Sequence, residues 1–283
     1  MDSEANQAVV IGSTGFLGSE LVAQEQGMVL CNRTVVPECA FPQVHVNDLE
    51  SLSAKDIKRV YLLAAHIPYG QPDVITSPLV AANVELVARV CRHFRESRII
   101  YSSSVSVYGS AASLPISEDS AFERPGAYGL SKLAGEVIVQ AHPNHCVLRY
   151  SSLYGPGMTA PTFLPLIVKK ALAEGLITLC GPGTRLQNYL HVSDAARMLT
   201  SASESSHNGV FNAVDVRSYS NIEVARLIAE AVGDVSIKHV GSDSSPSFSY
   251  DNSKWNDSFQ FAPRVELEQG IEGLVDSCRQ NNV

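Results

Sequence analysis

Short apolar runs alternate with longer segments of helical period up to about residue 110. Runs that stay apolar throughout are typical of strands buried on both faces, and the segments between them repeat apolar residues every three or four positions, as helices do. This alternation predicts a parallel sheet covered by helices. The predicted strands are Ala8–Ile11, Met28–Cys31, Val44–Val46, Val60–Leu63 and Arg98–Ser102.

The remaining pattern predicts a longer α/β chain with a looser end. Apolar residues recur at helical spacing over 78–95, which predicts one long helix. A segment rich in Pro, Ser and acidic residues over 113–126 predicts a surface loop that could cover a site. Further predicted elements are a helix at Tyr128–Gln140, a strand at Cys146–Tyr150, a helix at Asn221–Val232 and a Ser-rich loop at Gly241–Ser249.

Charge and hydropathy exclude several classes of partner. The net charge is −8 and Lys and Arg are not clustered, which argues against a nucleic-acid ligand. The acidic start over 1–7 lacks the basic region and cleavage site of a secretion signal. The apolar runs are far shorter than the roughly 20 residues that span a bilayer. We therefore expect a cytoplasmic protein with no membrane partner.

Metal binding is not indicated. The six cysteines are scattered without the paired spacing of a zinc site, so we interpret them as reduced thiols. His142 and His145 have a ligand-like spacing, but Pro143 and Asn144 form a turn between them and no third ligand is evident. The acidic residues Glu118, Asp119 and Glu123 are interpreted as part of a solvated loop.

Three glycines follow the first predicted strand. Gly12 permits a tight turn, Gly15 lets backbone N–H groups approach a pyrophosphate, and Gly18 allows close packing of the helix that begins there. The positive end of that helix would face the phosphates. A purely structural turn is the alternative, but the order of strand, glycine loop and helix favours a dinucleotide site.

The end of the second strand bears on the choice of dinucleotide. An acidic residue there binds the ribose 2′-hydroxyl of NAD, whereas an arginine suits the 2′-phosphate of NADP. This chain has Asn32 and Arg33 instead of a carboxylate. NADP is therefore favoured over NAD, with a merely solvated Arg33 as the alternative.

A tyrosine and a lysine mark the candidate chemistry. Tyr128 and Lys132 lie four residues apart, hence on one helix face, and a cation beside a phenol favours the phenolate. Tyr128 could then exchange a proton with a carbinol or carbonyl oxygen. Ser104 ends the fifth strand in a run of hydroxyl side chains, at the sheet edge where α/β proteins bind ligands.

Together these motifs resemble the extended short-chain dehydrogenase family, the nucleotide-sugar epimerases and dehydratases. The resemblance implies that Tyr128 is the acid/base, that Lys132 lowers its pKa and holds the nicotinamide ribose, and that Ser104 orients the substrate hydroxyl. It spans nearly the whole chain, including 148–150, 154–157, 190–194, 251–254 and 261–264. Besides Tyr128 and Lys132, the cofactor-binding residues it implies are Gly12, Thr14, Gly15, Phe16, Leu17, Gly18, Asn32, Arg33, Asp48, Leu49, Ala64, Ala65 and Asn83.

Departures from the family pattern bear on the substrate. Dehydratases usually carry an Asp-Glu pair after the serine, but Val105 and Ser106 stand here, which disfavours dehydration. Gln187 replaces an arginine and Ser152 an asparagine, and both changes weaken expected contacts to a diphosphate. Arg185 could replace the lost charge, or could be a solvated loop arginine.

The sequence thus predicts an α/β fold, a Rossmann-type doubly wound parallel sheet with a small C-terminal substrate-binding portion. The dinucleotide-binding domain is assigned to 1–155 and 187–215, and the substrate-binding portion to 156–186 and 216–283. The expected reaction is hydride transfer at a sugar carbon, C4, of a nucleotide sugar, with a ketoreductase preferred over a 4-epimerase. The alternatives are a reductase of a free sugar or small carbonyl compound and a non-catalytic dinucleotide sensor. By analogy we also expect a homodimer.

Overall fold

A seven-stranded parallel sheet forms the centre of the molecule, and every neighbouring pair in it is parallel. The computed structural model describes residues 8–37, 39–71, 73–110 and 113–280. The strand order is β10-β6-β5-β4-β1-β2-β3. The strands of this sheet are β1 (Ala8–Ile11), β2 (Met28–Asn32), β3 (Gln43–His45), β4 (Arg59–Leu62), β5 (Arg98–Ser104), β6 (His145–Tyr150) and β10 (Gly209–Ala213).

This sheet confirms the predicted Rossmann-type fold class. The chain runs outward from β1 through β2 to β3 and then returns to the other side of β1 as β4. The order therefore reverses between β1 and β4, and ligands of open α/β sheets bind beyond the carboxyl ends of the strands at such a point. Here the glycine loop after β1 meets the segment after β4.

Helices cover both faces of the sheet, and each face has its own apolar core. Helix α1 packs against α6 on one face, while α3 packs against α4 on the other. The helices are α1 (Phe16–Gln24), α2 (Ser77–Val80), α3 (Leu86–His93), α4 (Ala127–Gln140), α5 (Phe163–Glu174), α6 (Val192–Glu204), α7 (Asn221–Val232), α8 (Ser253–Phe259) and α9 (Leu267–Gln280). Short 3₁₀ segments occupy Val46–Ser51, which is kinked at Asp48, and Val105–Tyr108.

The long helix predicted over 78–95 is continuous but not regular. A π-helical turn at Ala81–Glu85 separates α2 from α3. Asn83 lies within this turn and is fully buried. Such π turns often occur at functional sites, and this one aims an amide side chain at the sheet edge that carries the glycine loop.

Two small sheets lie outside the central one. Strands β7 (Ser152–Tyr154) and β9 (Leu186–His191) are parallel, and β11 (Ser218–Ser220) pairs with β9 in antiparallel fashion. Strands β8 (Leu176–Cys180) and β12 (Ser236–Val240) form a parallel pair. Helices α5, α7 and α9 enclose a separate apolar core in this part of the chain.

The segment 187–215 is divided between two sheets. Most of β9 belongs to it and lies in a small sheet, whereas β10 forms an edge of the central sheet and α6 packs on α1. The domain boundaries taken from the sequence remain predictions. None of the helices in the described part of the chain is long and apolar enough to cross a bilayer.

Candidate active site

The glycine loop closes tightly against the neighbouring strand end. Gly12 has φ +95°, and a Cβ atom there would lie 2.6 Å from the backbone nitrogen of Ala64. A side chain at Gly18 would collide with the Gly12 carbonyl oxygen. Gly12 and Gly18 therefore permit a close approach of loop, helix and strand that alanine would prevent.

Helix α1 begins without a side chain occupying its amino end. Gly15 is its extended N-cap residue, no side chain caps the helix, and the first turn carries no acidic residue. Thr14, Phe16 and Leu17 surround this end. Backbone N–H groups at a helix start, together with the helix dipole, bind phosphate well. The residues present thus fit a dinucleotide pyrophosphate.

The Asn32 side chain forms hydrogen bonds to the glycine loop after β1. Its Nδ2 donates to Ser13 Oγ at 2.7 Å, and the Thr14 backbone N–H donates to Asn32 Oδ1 at 3.3 Å. Arg33 is exposed just beyond β2. Of the two expected cofactor residues Asp48 and Leu49, Asp48 is exposed while Leu49 is fully buried in the core. The structure therefore leaves Arg33 and Asp48 accessible and uses Asn32 and Leu49 for packing.

Asn83 connects the segment after β4 to helix α4. Its Oδ1 accepts from the His66 backbone N–H at 2.8 Å, and its Nδ2 donates to the His66 carbonyl at 3.1 Å and to Ser131 Oγ at 2.9 Å. Ser131 Oγ in turn donates to the Tyr128 carbonyl at 2.7 Å. Asn83 thereby fixes the first turn of α4, next to the segment containing Ala64 and Ala65.

Ser104 and Tyr128 are brought together at the end of the sheet. Ser104 ends β5 and caps the following 3₁₀ turn, accepting from the Ser106 backbone N–H at 3.1 Å. Burial raises the pKa of Tyr128 and the neighbouring Tyr69 raises it further, whereas a side-chain hydrogen bond with Ser104 opposes the rise. The phenol is therefore held protonated beside a serine hydroxyl.

Lys132 lies on the next turn of α4 and is almost completely buried. Burial lowers the pKa of its ammonium to about 7, and the charge of Glu136 opposes that change. Its Nζ atom lies 4.2 Å from the centre of the Tyr101 ring, a cation–π arrangement. The ammonium therefore faces the Tyr101 ring. The expected lowering of the Tyr128 pKa by Lys132 remains a prediction.

Two residues beside this site, Asp73 and Tyr69, were not predicted from the sequence. Asp73 Oδ1 accepts from the Ala127 backbone N–H at 2.6 Å, so a carboxylate holds the start of α4. Tyr69 is close enough to raise the pKa of Tyr128. Both belong to the connection after β4, whose sequence has no periodicity that would place it against another element.

Three of the four candidate substrate residues, all except Ser104, line two neighbouring cavities. Ser152 and Gln187 line a small one of about 40 Å³. Arg185 lines a larger one of about 360 Å³, and its Nε donates to the Pro246 carbonyl at 3.0 Å. Phe163 lines both cavities, and Gln187 Nε2 donates to Asn221 Oδ1 at 2.8 Å, which joins their walls.

His142 and His145 lie in backbone contacts at the end of α4. The two ring nitrogens of His142 lie 3.0 Å from the carbonyls of Asn144 and Phe94, and His145 Nδ1 lies 2.7 Å from the His142 carbonyl. Over the described ranges, no three His, Cys, Asp or Glu residues are grouped as a metal site would require.

Glu118 corrects the interpretation of its loop as merely solvated. Its carboxylate accepts from the Asn212 backbone N–H at 2.6 Å, which ties the 113–126 loop to β10. The loop is anchored because the last strand of the sheet offers an unpaired N–H at its edge.

Comparison with known proteins agrees with this geometry. A model of the NAD dependent epimerase/dehydratase family matches residues 8–213. The chain belongs to that family. The resemblance drawn from the motifs is thereby confirmed.

Relatives within the family carry different activities in their names. A putative UDP-glucose 4-epimerase of Methanocaldococcus jannaschii is 23% identical, over 97% of this chain and 99% of the relative. A dTDP-4-dehydro-6-deoxy-D-allose reductase of a Streptomyces species is 24% identical, over 80% of this chain and 81% of the relative. The structure of MoeE5 in complex with UDP-glucose and NAD is 26% identical, with a TM-score of 0.82 over 98% of this chain and 100% of that one.

Proposed function

We propose that this protein is an NAD(P)-dependent enzyme that transfers hydride at a sugar carbon, C4, of a nucleotide sugar. The observation that carries the proposal is that Ser104, close enough to lower the pKa of Tyr128, lies with it at the sheet edge that also holds the glycine loop, and that Lys132 follows one helical turn later. Family members named as an epimerase and a reductase, and a relative with bound UDP-glucose and NAD, support the substrate class.

The residues divide the chemistry between them. When bound, the dinucleotide accepts or donates the hydride. Ser104 orients the sugar oxygen, and Tyr128 gives a proton to that oxygen or takes one from it. We prefer a ketoreductase over a 4-epimerase because Arg33 at the end of β2 favours NADP, whereas an epimerase of this family would retain NAD through both half-reactions.

The larger cavity suits the nucleoside part of the substrate. Its apolar wall includes Phe163 and Leu179, and its polar groups include Arg185, Asn221 and Asp243. Aromatic and aliphatic side chains with a few polar groups are typical of small-molecule sites. Arg185 supplies the cationic group, while Gln187 and Ser152 provide neutral hydrogen bonds towards the reacting sugar.

The cofactor preference is decided at the end of β2. Arg33 is exposed there and no carboxylate precedes it, which favours NADP, whereas the relative MoeE5 is described with NAD. Titration of cofactor-stripped protein with NADPH and NADH tests this. A preference for NADPH that disappears in Arg33→Ala supports the arginine contact. A preference for NADH, or bound NAD⁺ that resists removal, overturns it and indicates an epimerase.

Product analysis with purified protein tests the reaction itself. UDP-, dTDP-, GDP- and ADP-linked sugars and their 4-keto derivatives would each be incubated with NADPH or NAD⁺. Consumption of NADPH with a 4-keto substrate supports the ketoreductase, and interconversion of C4 epimers without net cofactor use supports the epimerase. Turnover of free sugars alone would replace the nucleotide-sugar proposal with the small-carbonyl alternative.

A non-catalytic dinucleotide sensor is the rival from another class. It predicts that Tyr128→Phe leaves biological activity undiminished while dinucleotide binding persists. The presence of Ser104, Tyr128 and Lys132 in one place argues against it.

A further inference from the structure

Behind Lys132 the molecule contains a fully enclosed ion pair. Glu136 has no exposed surface and Arg149 is 3% exposed. Arg149 NH2 donates to Glu136 Oε2 at 2.7 Å, and Nε donates to Oε1 at 3.0 Å. Buried charges are costly to remove from water, and replacing such a pair by apolar residues is often neutral or stabilising. A contribution to folding stability is therefore a weak explanation for the presence of this ion pair.

The position of Glu136 links two elements of the candidate site. It lies four residues after Lys132, on the same face of α4. Ser103 Oγ, next to Ser104 at the end of β5, donates to Glu136 Oε1 at 2.5 Å. One carboxylate thus ties the helix that carries Tyr128 and Lys132 to the strand that carries Ser104.

We propose that Glu136 is a positioning residue for the candidate active site, fixing α4 against β5 and supplying the buried negative charge that acts on Lys132. This inference rests on the proposed function, because it gives Lys132 its role there. The electrostatics agree with the geometry. The charge of Glu136 raises the pKa of Lys132 against the lowering caused by burial.

The other groups around Lys132 do not supply that charge. Tyr101 of β5 presents its ring face to the ammonium. Burial, Tyr128 and Glu136 all raise the pKa of Tyr101, and so does the Cys91 thiol of α3, so its phenol stays neutral. Arg149 of β6 is cationic and Tyr108 donates to Asn212, so neither provides a negative charge. Among the described residues packed here, Glu136 is the anionic one.

Arg149 extends the same network towards the 113–126 loop. Its NH1 donates to Tyr108 Oη at 2.8 Å and to the Glu118 carbonyl at 3.4 Å. Arg149 therefore balances Glu136 and holds the 113–126 loop. Removing both charges together distinguishes two roles. If the pair is purely structural, the Lys132 pKa should stay at its wild-type value; if the charge of Glu136 acts on Lys132, that pKa should fall.

The test measures the Lys132 pKa directly, without cofactor or substrate. Side-chain NMR of protein labelled with ¹³C,¹⁵N-lysine would be followed from pH 5.5 to 10, with the signal identified through Lys132→Met. The variants are Glu136→Gln, which keeps an acceptor for Ser103, and the double variant Glu136→Gln with Arg149→Met, which removes both charges of the buried pair.

We expect a wild-type pKa near 7. We expect the pKa to fall by about one unit in the double variant and further in Glu136→Gln, where Arg149 remains uncompensated. If Glu136→Gln does not fold, the double variant carries the test. A double variant with the wild-type pKa overturns the proposal and leaves the pair a purely structural role.

Asp194→Asn serves as the matched control. Asp194 is another fully buried carboxylate, paired with Arg197 on α6 and accepting from the backbone N–H groups of Arg264 and Val265. The Asp194→Asn substitution should lower the free energy of unfolding without changing the Lys132 pKa. Where turnover is found, the alkaline limb of the pH profile should move with the pKa. Absence of nucleotide-sugar turnover would refute the proposed function and leave the NMR result standing.

Discussion

At the scale of single residues, burial acts in opposite directions on the two groups of the candidate centre. It raises the pKa of the Tyr128 phenol and lowers that of the Lys132 ammonium, because in both cases it disfavours the charged form. Both groups are therefore driven towards neutrality, and their neighbours Ser104 and Glu136 oppose this. The titration of the site depends on these neighbours as much as on the Tyr-Lys pair.

Removing the Tyr128 hydroxyl tests its role in proton transfer. We expect Tyr128→Phe to lower kcat by about 10²–10⁴-fold, the usual range for loss of a general acid or base, while dinucleotide binding is retained through the other cofactor residues. Steady-state kinetics and fluorescence titration with NADPH or NADH would measure both. Tyr61→Phe is the control, since its hydroxyl bonds to Ser203 on the opposite face of the sheet. A Tyr128→Phe enzyme with wild-type kcat would exclude the phenol as the acid.

Lys132 should leave a signature in stability against pH. Its folded pKa is about 7 and its unfolded value is near 10.5, so the unfolded chain binds more protons between these values. The contribution of Lys132 to folding stability is therefore complete above pH 10.5 and is lost as the pH falls to about 7. Relative to Lys132→Met, cofactor-free wild type should gain about 1 kcal/mol per pH unit within this window. Urea unfolding at pH 7, 8 and 9 would measure it, and parallel pH dependences would contradict it.

The sequence could identify residue types but not their partners. The spacing of Tyr128 and Lys132 and the serine after a buried strand were readable because they follow helix and strand geometry. The expected cofactor contact of Asn32 remains a prediction, but its bonds to Ser13 and Thr14 were not indicated by any local pattern. Long-range partners such as these depend on which strands become neighbours, which local pattern does not determine.

At the scale of elements, the glycine loop is constrained by packing as well as by ligand access. Gly18 lies against the Gly12 carbonyl with no space for a side chain. Gly18→Ala should lower the melting temperature and weaken dinucleotide binding at least tenfold, because helix α1 must move away from the loop. Thermal denaturation and NADPH titration would show this.

Gly273→Ala is the control for Gly18→Ala, because here the same substitution is expected to raise the stability of the protein. A Cβ atom there would lie 3.6 Å from Pro156 Cγ, an ordinary contact, and Gly273 is within α9. Replacing a helical glycine where there is room should stabilise the protein by about 0.5–1 kcal/mol. If both variants were equally stable, the close packing of Gly18 would not explain its presence.

The start of helix α4 depends on a residue distant in sequence. Asp73 accepts from the Ala127 N–H. Asp73→Ala should cost about 1 kcal/mol of stability, as loss of a helix cap does, and should lower kcat because Tyr128 lies in the first turn. Asp73→Asn keeps an oxygen acceptor and should restore both. Chemical denaturation and kinetics of the two variants would test this, and equal kcat values in both would remove Asp73 from the positioning of Tyr128.

Element prediction from the sequence succeeded where periodicity was strong. The helix Asn221–Val232 was predicted with the observed bounds, and the predicted strands of the central sheet lie within two residues of the observed bounds, although β10 was not predicted. The π turn at Ala81–Glu85 was missed because the apolar spacing predicted a regular helix, whereas the turn buries the polar Asn83. The short strands β7, β9 and β11 were missed because they mix polar and apolar residues and lack the continuous apolar runs typical of the central strands.

At the scale of the whole molecule, the order of strands explains why distant residues meet. The reversal between β1 and β4 opens a crevice at the glycine loop, and β5 next to β4 brings Ser104 to the same edge. The sequence predicted this parallel arrangement from the alternation of strands and helices. It could not predict the two small sheets, because their strands are joined by connections that do not follow that alternation.

The exposed face of α4 bears on assembly. Leu130 and Val137 are 44% and 62% exposed and lie seven residues apart, hence on one helix face. An apolar helix face open to water favours self-association. If the expected homodimer forms through the helices that carry Asn83 and Tyr128, this face would be covered by a second copy of the chain.

Light scattering of the purified protein at micromolar concentration should therefore give the mass of a dimer. Val137→Glu should shift it to the monomer mass, because a carboxylate on each copy would be buried at the interface without a partner. Val216→Glu is the matched control, since Val216 is 64% exposed and lies in the connection between β10 and β11. A dimer that persists in Val137→Glu places the interface elsewhere, and a wild-type monomer removes the dimer from the account. Val137 is next to Glu136 on α4. Measuring the Lys132 pKa in Val137→Glu would therefore also show whether assembly contributes to the positioning of Lys132.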